Sequence, residues 1–290
     1  MVGGVLNIYK PVGVTSTRVV ERIRSILKTK AGHTGTLDPF ARGVILVCWG
    51  KATRFASFFQ GLDKVYRAWI RFGMTTNTYD VYGKIEKWHS GSLEKEQLLP
   101  VLAKYHGKLT QRIPCFSASK YKGKPLYQYA RQDISVPVMS KEIEIYSIEV
   151  LQWEEGEFGS IELRIHCTSG TYIRSLAFEL GEETGLGAYL FSLCRERVGN
   201  FSLSESIDVF RPGIEPERLL RKSLSVDQAL YWIPSLSLNE EETRRFRQGN
   251  AVSYSHFLTE SWMKVYHQNV FLGLGKMTYS GVLQPKIVIG

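Results

Sequence analysis

The stretch Ala31-Gly32-His33-Thr34-Gly35-Thr36-Leu37-Asp38-Pro39-Phe40-Ala41-Arg42-Gly43 decides how the rest of the chain is read. It sets one carboxylate, Asp38, in a glycine-rich loop. A basic, helix-like segment precedes the loop, and the apolar run Val44-Ile45-Leu46-Val47 follows it. The three glycines permit backbone angles closed to other residues, and Pro39 fixes the chain immediately after the acid. On these residues alone two readings are open. The loop aims the acid at a substrate, or it is an ordinary turn in which Asp38 hydrogen-bonds its own backbone.

Upstream, Val5-Leu6-Asn7-Ile8 reads as a short strand closed by the turn Lys10-Pro11-Val12-Gly13. Val19, Val20, Ile23, Ile26 and Leu27 then recur at helical spacing, with Arg18, Arg22 and Lys28 off that stripe. Downstream, the patterning predicts strands at 44–49, 65–72, 141–153 and 160–167, and helices near 93–106 and 172–184. Strands and helices mix without strict alternation, which argues for an α+β fold. Pro212, Pro216 and Pro234 punctuate short helical pieces over 211–238. Asn239-Glu240-Glu241-Glu242 then reads as an N-cap with an acid three residues on, opening a helix that stops near Gly249. Strand-like runs follow near 262–267, 270–276 and 282–289. The expected division is a large domain over 1–230 and a small β-rich module over 231–290.

An apolar fraction of 43% with 12% aromatics is ample for a packed core, which sets disorder aside. The net charge of +9 is uneven. Residues 8–71 hold twelve Lys/Arg against Glu21, Asp38 and Asp63, and 112–131 add Arg112, Lys120, Lys122, Lys124 and Arg131 without an acid. Such concentration favours a polyanion, because neutralising phosphates releases counterions. A basic surface that only aids solubility is the competing account. Charge does not separate RNA from DNA or anionic lipid. Cys48, Cys115, Cys167 and Cys194 form no CxxC pair, so reduced thiols are expected rather than a zinc site or disulfides. No apolar run approaches the roughly 18 residues of a membrane helix, and the N-terminus lacks signal-peptide features. A cytoplasmic protein with no membrane association is expected. There is no P-loop, GxGxxG, HExxH or Cys/His cluster, so neither a metal nor a cofactor is expected.

The 31–43 loop resembles the signature loop of the TruB family of tRNA pseudouridine synthases, and the resemblance extends through separate motifs over most of residues 3–200. It implies that Asp38 is the catalytic residue. Asn7-Ile8-Tyr9-Lys10-Pro11-Val12-Gly13-Val14-Thr15-Ser16 is similar to the family's opening motif, which puts Lys10 near the active site as support. Read alone, Lys10-Pro11 only shapes a turn, with the ammonium in solvent. Asp63-Lys64-Val65-Tyr66-Arg67-Ala68 is similar to the Lys-x-Tyr motif, which implies that Tyr66 stacks on the target base.

Gly73-Met74-Thr75-Thr76-Asn77-Thr78-Tyr79-Asp80-Val81-Tyr82-Gly83 resembles the Thr-x-Thr-x-Asp-x-x-Gly loop, with Asn77 where an acid is frequent. Asp80 there is a supporting acid or simply solvent-exposed. Ile113-Pro114-Cys115-Phe116-Ser117-Ala118-Ser119-Lys120-Tyr121-Lys122-Gly123 resembles the Pro-Pro-x-Tyr-Ser-Ala-x-Lys stretch, one residue shorter. Its continuation through Tyr127, Ala130 and Arg131 carries Asp133 where glycine is typical. Lys120, Lys122 and Lys124 interleave with Tyr121 and Tyr127, as on an RNA-facing surface.

The segment His166-Cys167-Thr168-Ser169-Gly170-Thr171-Tyr172-Ile173-Arg174 matches the one that brings an arginine to the catalytic aspartate. Arg174 would then stabilise and orient the ionised carboxylate; a surface ion pair is the commoner fate of a lone arginine. Gly187-Ala188 and Leu193-Cys194-Arg195 look like the family's Gly-Ala and Leu-x-Arg elements, which implies that Leu193 lines the uridine pocket with Tyr172. His33 is implied in extruding the target base, although a lone loop histidine is more often solvated.

The resemblance implies a pseudouridine synthase domain with a mixed or antiparallel sheet and a PUA-like C-terminal module. The implied reaction isomerises the T-loop uridine of tRNA (position 55) by base flipping and Asp38-dependent cleavage and re-formation of the glycosidic bond. An isomerisation needs no redox cofactor or energy source. One carboxylate can serve as nucleophile or base, and both stay open; the lack of a definite second acid weighs against a glycoside hydrolase. The expected partner is the tRNA T-stem-loop, met by a monomer without a protein partner. Two alternatives stand beside this: a guide-RNA-dependent enzyme of the Cbf5/dyskerin type, and a non-catalytic RNA-binding or RNA-folding protein.

Overall fold

The computed structural model describes residues 3–254 and 260–289. Residues 255–259, inside the expected C-terminal module, lie outside the described residues. The apolar runs become central strands of one ten-stranded sheet. Its main path is Ile207–Asp208, Gly3–Lys10, Arg42–Gly50, Ala188–Val198, Lys64–Phe72, Ser160–Cys167, Ser140–Glu154 and Gly107–Arg112. Ala31–His33 and Phe201–Ser202 pair beside that path. Two neighbour pairs are parallel and the rest antiparallel, so the sheet is mixed.

One of the parallel pairs matters most. Arg42–Gly50 and Ala188–Val198 meet at only two positions, Arg42 opposite Cys194 and Gly43 opposite Arg195. The sheet is therefore two halves joined at a narrow seam, and the Asp38 loop runs into it. Gly43 has φ +116°, and a Cβ there would lie 2.3 Å from the Arg195 carbonyl oxygen. Only glycine tolerates both conditions. Gly32 and Gly35 do not take positive φ, so of the three loop glycines only Gly43 uses the freedom expected of all.

Alternation along Lys64–Phe72 divides the two faces of the sheet. Tyr66, Ala68, Ile70 and Phe72 are buried on one face beneath the helix Ile173–Thr184. On the other face Arg67 pairs with Glu162 at 2.6 Å, and Arg164 meets Glu149 and Glu196 at 3.0 Å each. The helix Ser16–Leu27 starts where the Thr15 side chain accepts from Arg18 N, and a cap of this kind is worth about 1 kcal/mol. It buries Val19, Val20 and Ile23 against Leu6, Ile8, Ile45 and Val47. The expected helix near 93–106 is the shorter Lys95–Ala103, which has Pro100 inside it.

Among the described residues a second sheet has five strands, in the order Ser235–Ser237, Ser261–His267, Val270–Met277, Val282–Val288, Val252–Ser253. The helix Glu240–Arg247 opens with the capping box of Asn239 and Glu242 that its sequence foretold. This module shares a core with the large domain. Phe55 and Phe59 cluster with Leu274, Trp262 and Phe271 pack against them, and the Phe58 and Trp262 rings stand 4.8 Å apart at 84°. Among the described residues no helix is long and apolar enough to cross a membrane.

Candidate active site

The Asp38 loop is held by its carbonyl oxygens. Buried backbone acceptors need donors, and here side chains from distant segments supply them. Ser16 Oγ accepts from Leu37 N and donates to Leu37 O, both at 2.9 Å. Gly13 N donates to Pro39 O at 2.8 Å. Arg195, only 3% exposed, donates to Gly35 O at 3.1 Å, Thr36 O at 3.3 Å and Val44 O at 2.7 Å. Three carbonyls from both arms of the loop thus converge on one planar fork.

Lys10 is fully buried rather than solvated, which removes the reading of a turn with a free ammonium. Its Nζ donates to Val14 O at 2.6 Å, Pro11 O at 2.9 Å and Pro39 O at 3.3 Å. Burial pulls its pKa down to about 8; the Asp38 charge opposes that shift and Arg195 adds to it.

Arg174 is likewise no surface ion pair. It is 4% exposed and donates from Nε to Asp38 Oδ2 at 3.0 Å and from Nη2 to Asp38 Oδ1 at 3.3 Å. The other guanidinium bonds go to Thr78 O at 2.9 Å and Phe116 O at 3.0 Å. Asp80 is buried too, with Oδ2 at 3.6 Å from Arg174 Nε, so it belongs to this network rather than to solvent. Its Oδ1 accepts from Thr78 Oγ1 at 2.7 Å and Tyr82 N at 2.9 Å. Burial raises the Asp80 pKa against the pull of Thr78 and Arg174.

Tyr66 and Leu193 are buried in the cluster that also holds Leu37 and Phe40, so the fold gathers both beside the Asp38 loop. Register explains this: Tyr66 stands opposite Arg195, and Leu193 opposite Ala68. Burial raises the Tyr66 pKa, which keeps the phenol neutral and able to donate. Tyr172 precedes Arg174 by two residues, and its hydroxyl shares a 2.8 Å hydrogen bond with Ser119 Oγ. Its backbone is gripped by buried Gln111, which accepts from Tyr172 N at 2.8 Å and donates to Tyr172 O at 3.0 Å. His33 ends the strand Ala31–His33. Burial, helped by Arg195, lowers its pKa, and its Nδ1 is buried without a hydrogen-bond partner.

The segment 113–139 arches from the strand Gly107–Arg112 to the strand Ser140–Glu154 and reaches the site through Phe116 O and Ser119. Lys122 lies over the Tyr121 ring at 5.5 Å and Arg131 over Tyr127 at 5.4 Å. Asp133 takes φ +52°, the left-handed conformation that a glycine would adopt without cost, and aspartate is among the residues that tolerate it. Asn77 accepts from Lys84 N at 2.9 Å, so the amide closes the 76–84 loop without a charge. Sequence reasoning gave no role to Ser16, Gln111, Ser119 or Arg195. For Arg195 the motif match was the available signal; Gln111 had none.

Among the described residues no three His, Cys, Asp or Glu side chains assemble into a metal-binding group. The Asp38 side chain is 33% exposed, flanked by two buried cations and a neutral tyrosine. An anchored carboxylate of this kind can attack an electrophilic carbon or take a proton from a substrate that arrives from solvent.

Comparison with known proteins places these residues in context. Residues 24–173 match the family model described as TruB family pseudouridylate synthase, N-terminal domain, and residues 234–289 match the model of the pseudouridine synthase II TruB C-terminal region. The chain is 39% identical over 286 residues to tRNA pseudouridine synthase B of Aquifex aeolicus, covering 98% of each chain. It is 38% identical to the protein of the same name from Chromobacterium violaceum, covering 98% of this chain and 94% of the relative. Among solved structures, a chain of a Cbf5–Nop10–Gar1 complex superposes with TM-score 0.73 at 25% identity, over 98% of this chain and 84% of that one. A chain of an H/ACA RNP bound to a substrate RNA containing 2′-deoxyuridine does so with TM-score 0.71 at 23% identity, over the same shares, and shows the fold.

Proposed function

The chain belongs to the TruB family of pseudouridine synthases, and from that premise we propose that it isomerises the T-loop uridine of tRNA, position 55, with Asp38 as the catalytic residue. The observation that carries this reading is the two-point contact of Arg174 with Asp38, made where Arg195, Ser16 and Lys10 fix the same loop. Relatives matched over nearly their whole length are named for action on tRNA, whereas the Cbf5 complex is the more distant likeness.

In this reading the tRNA docks on the basic face as a monomer's substrate, without guide RNA, protein partner or cofactor. The target uridine leaves its stack at a cost of a few kcal/mol. His33, kept uncharged by burial and by Arg195, fills the vacated space as a neutral ring. Tyr66 stacks on the extruded uracil, with Leu193 and Tyr172 forming the remaining walls. Asp38, oriented by the guanidinium of Arg174, acts on the ribose or base while the C1′–N1 bond breaks. The uracil turns, C5 bonds to C1′, and the isomerisation closes when C5 gives up its proton and N1 takes one up. Lys10 supports the loop and adds positive charge behind it. The reading assigns the isomerase to residues 1–230 and a PUA-like RNA contact to residues 231–290, in a cytoplasmic enzyme.

The test is site-resolved pseudouridine mapping on an unmodified tRNA transcript with purified protein alone. Wild type should convert one uridine, and Asp38→Asn should lose turnover while still binding RNA. Pseudouridine formation by Asp38→Asn would overturn the assignment. Binding without product by wild type would leave only an RNA-binding protein.

A further inference from the structure

The rim around Asp38 carries apolar surface that the reaction above does not use. Tyr82 is 61% exposed and Val12 54%, and Pro39, next in the chain after the acid, is exposed as well. Single exposed hydrophobics are common, but Tyr82 is wired to the catalytic centre. Its N–H donates to Asp80 Oδ1 at 2.9 Å. Asp80 Oδ2 lies 3.6 Å from Arg174 Nε, which donates to Asp38 at 3.0 Å. On the other side, the Tyr82 ring meets Phe40 edge-on, with centroids 6.0 Å apart at 64°. Phe40 is buried and lies two residues after Asp38. The Tyr82 backbone is thus tied to Asp80 and its ring rests edge-on against Phe40, with most of the residue open to solvent.

The surroundings decide what can cover it. Lys10, Arg174 and Arg195 are buried in the Asp38 site, and the 113–139 segment, which reaches that site through Phe116 O and Ser119, carries the exposed Lys120, Lys122 and Lys124. A polyanion reaches this rim more readily than an acidless apolar peptide. Extruding a uridine also leaves its chain neighbours without a stacking partner, and a fixed aromatic ring supplies a sequence-tolerant replacement. We propose that Tyr82 is a stacking platform for the nucleobase adjacent in the chain to the target uridine. This rests on the function proposed above and adds a second base subsite to it, held by the same Asp80–Arg174 network that holds Asp38.

The experiment measures RNA binding and turnover for wild type, Tyr82→Phe and Tyr82→Ser. The RNAs are the T-stem-loop and versions with an abasic nucleotide on either side of the target. Wild-type turnover on the intact RNA is the control, and its absence would overturn the proposed function instead of this inference. With turnover present, Tyr82→Ser should weaken binding by about tenfold, the scale of one base–aromatic stack, while Tyr82→Phe stays within about twofold. One abasic position should weaken wild type by a similar factor and leave Tyr82→Ser unchanged. The inference is overturned if Tyr82→Ser binds like wild type, if Tyr82→Phe is as weak as Tyr82→Ser, or if the abasic and Tyr82→Ser losses add. Additive losses would mean that the ring serves the fold or another partner.

Discussion

The Asp38 loop and the 113–139 segment both border the cleft, yet they are built in opposite ways. In the loop, Ala31, Thr34, Leu37, Phe40, Ala41 and Gly43 are buried, and donors from Ser16, Gly13, Lys10 and Arg195 reach its carbonyls. In the longer segment only Ile113, Pro114, Ser117 and Leu126 are buried, and it meets the site through single bonds at Phe116 O and Ser119. A group that performs chemistry loses rate when misplaced by an ångström. A surface that grips phosphates and stacks on bases tolerates adjustment, because neither interaction is strongly directional. Under the proposed function, the densely bonded segment is the one that carries the acid and the sparsely bonded one is the one offered to RNA.

The largest break in that comparison is at Arg174. Arg174→Gln leaves Asp38 and Asp80 facing each other without their cation, and kcat should fall by about 100-fold or more, the scale for removing one preorganised donor. Arg174→Lys should not restore it, since an ammonium cannot span Asp38, Thr78 O and Phe116 O together. Single-turnover kinetics at saturating RNA check both.

Arg195→Lys tests whether the loop needs its clamp. Three carbonyls lose their fork, and denaturant unfolding should show a loss of about 2–3 kcal/mol, the range for hydrogen bonds to a charged group. Turnover should fall with it while RNA affinity is kept.

The grip is tested by replacing Lys120, Lys122 and Lys124 together with alanine. Affinity should drop, with the salt slope reduced by about one for each phosphate no longer neutralised. Turnover at saturating RNA should hold, and a comparable fall in kcat would erase the distinction between the two segments.

The smallest effect is a pH profile. Folding lowers the Lys10 pKa from 10.5 to about 8, and Lys64 shifts the same way. Between about 8 and 10.5 the unfolded chain binds more protons than the folded one, so these groups make stability rise with pH across that window. The positive charge behind Asp38 is lost over the same window. Turnover should therefore decline above pH 8 without unfolding, and Lys10→Met should flatten that limb.

Most of the fold was legible because its signals are local. The 3.6-residue stripe of 16–27, the branched and aromatic run at 64–72 and the Asn239/Glu242 cap each lie within a dozen residues. The meeting of Arg174 with Asp38, and the placing of Tyr66 beside that loop, were legible through motifs. Lys10 and Asp80 were ambiguous, because burial is a property of the assembled chain. The shared core of Phe55, Phe59 and Leu274 was not visible either, since nothing in either segment records the other.

The sequence by itself determined which residue types stand ready: one acid in a tight loop, a tyrosine on a strand, an arginine after a turn, and basic flanks. Tertiary structure alone decided that Arg174 crosses 136 positions to Asp38, and that Arg195 reaches back 160 to Gly35. The physical reason is that many of these hydrogen bonds end on backbone carbonyls. Every residue carries one, so such partners leave no mark in the sequence, and for Arg195 it is the two-residue seam with Gly43 that brings them within reach.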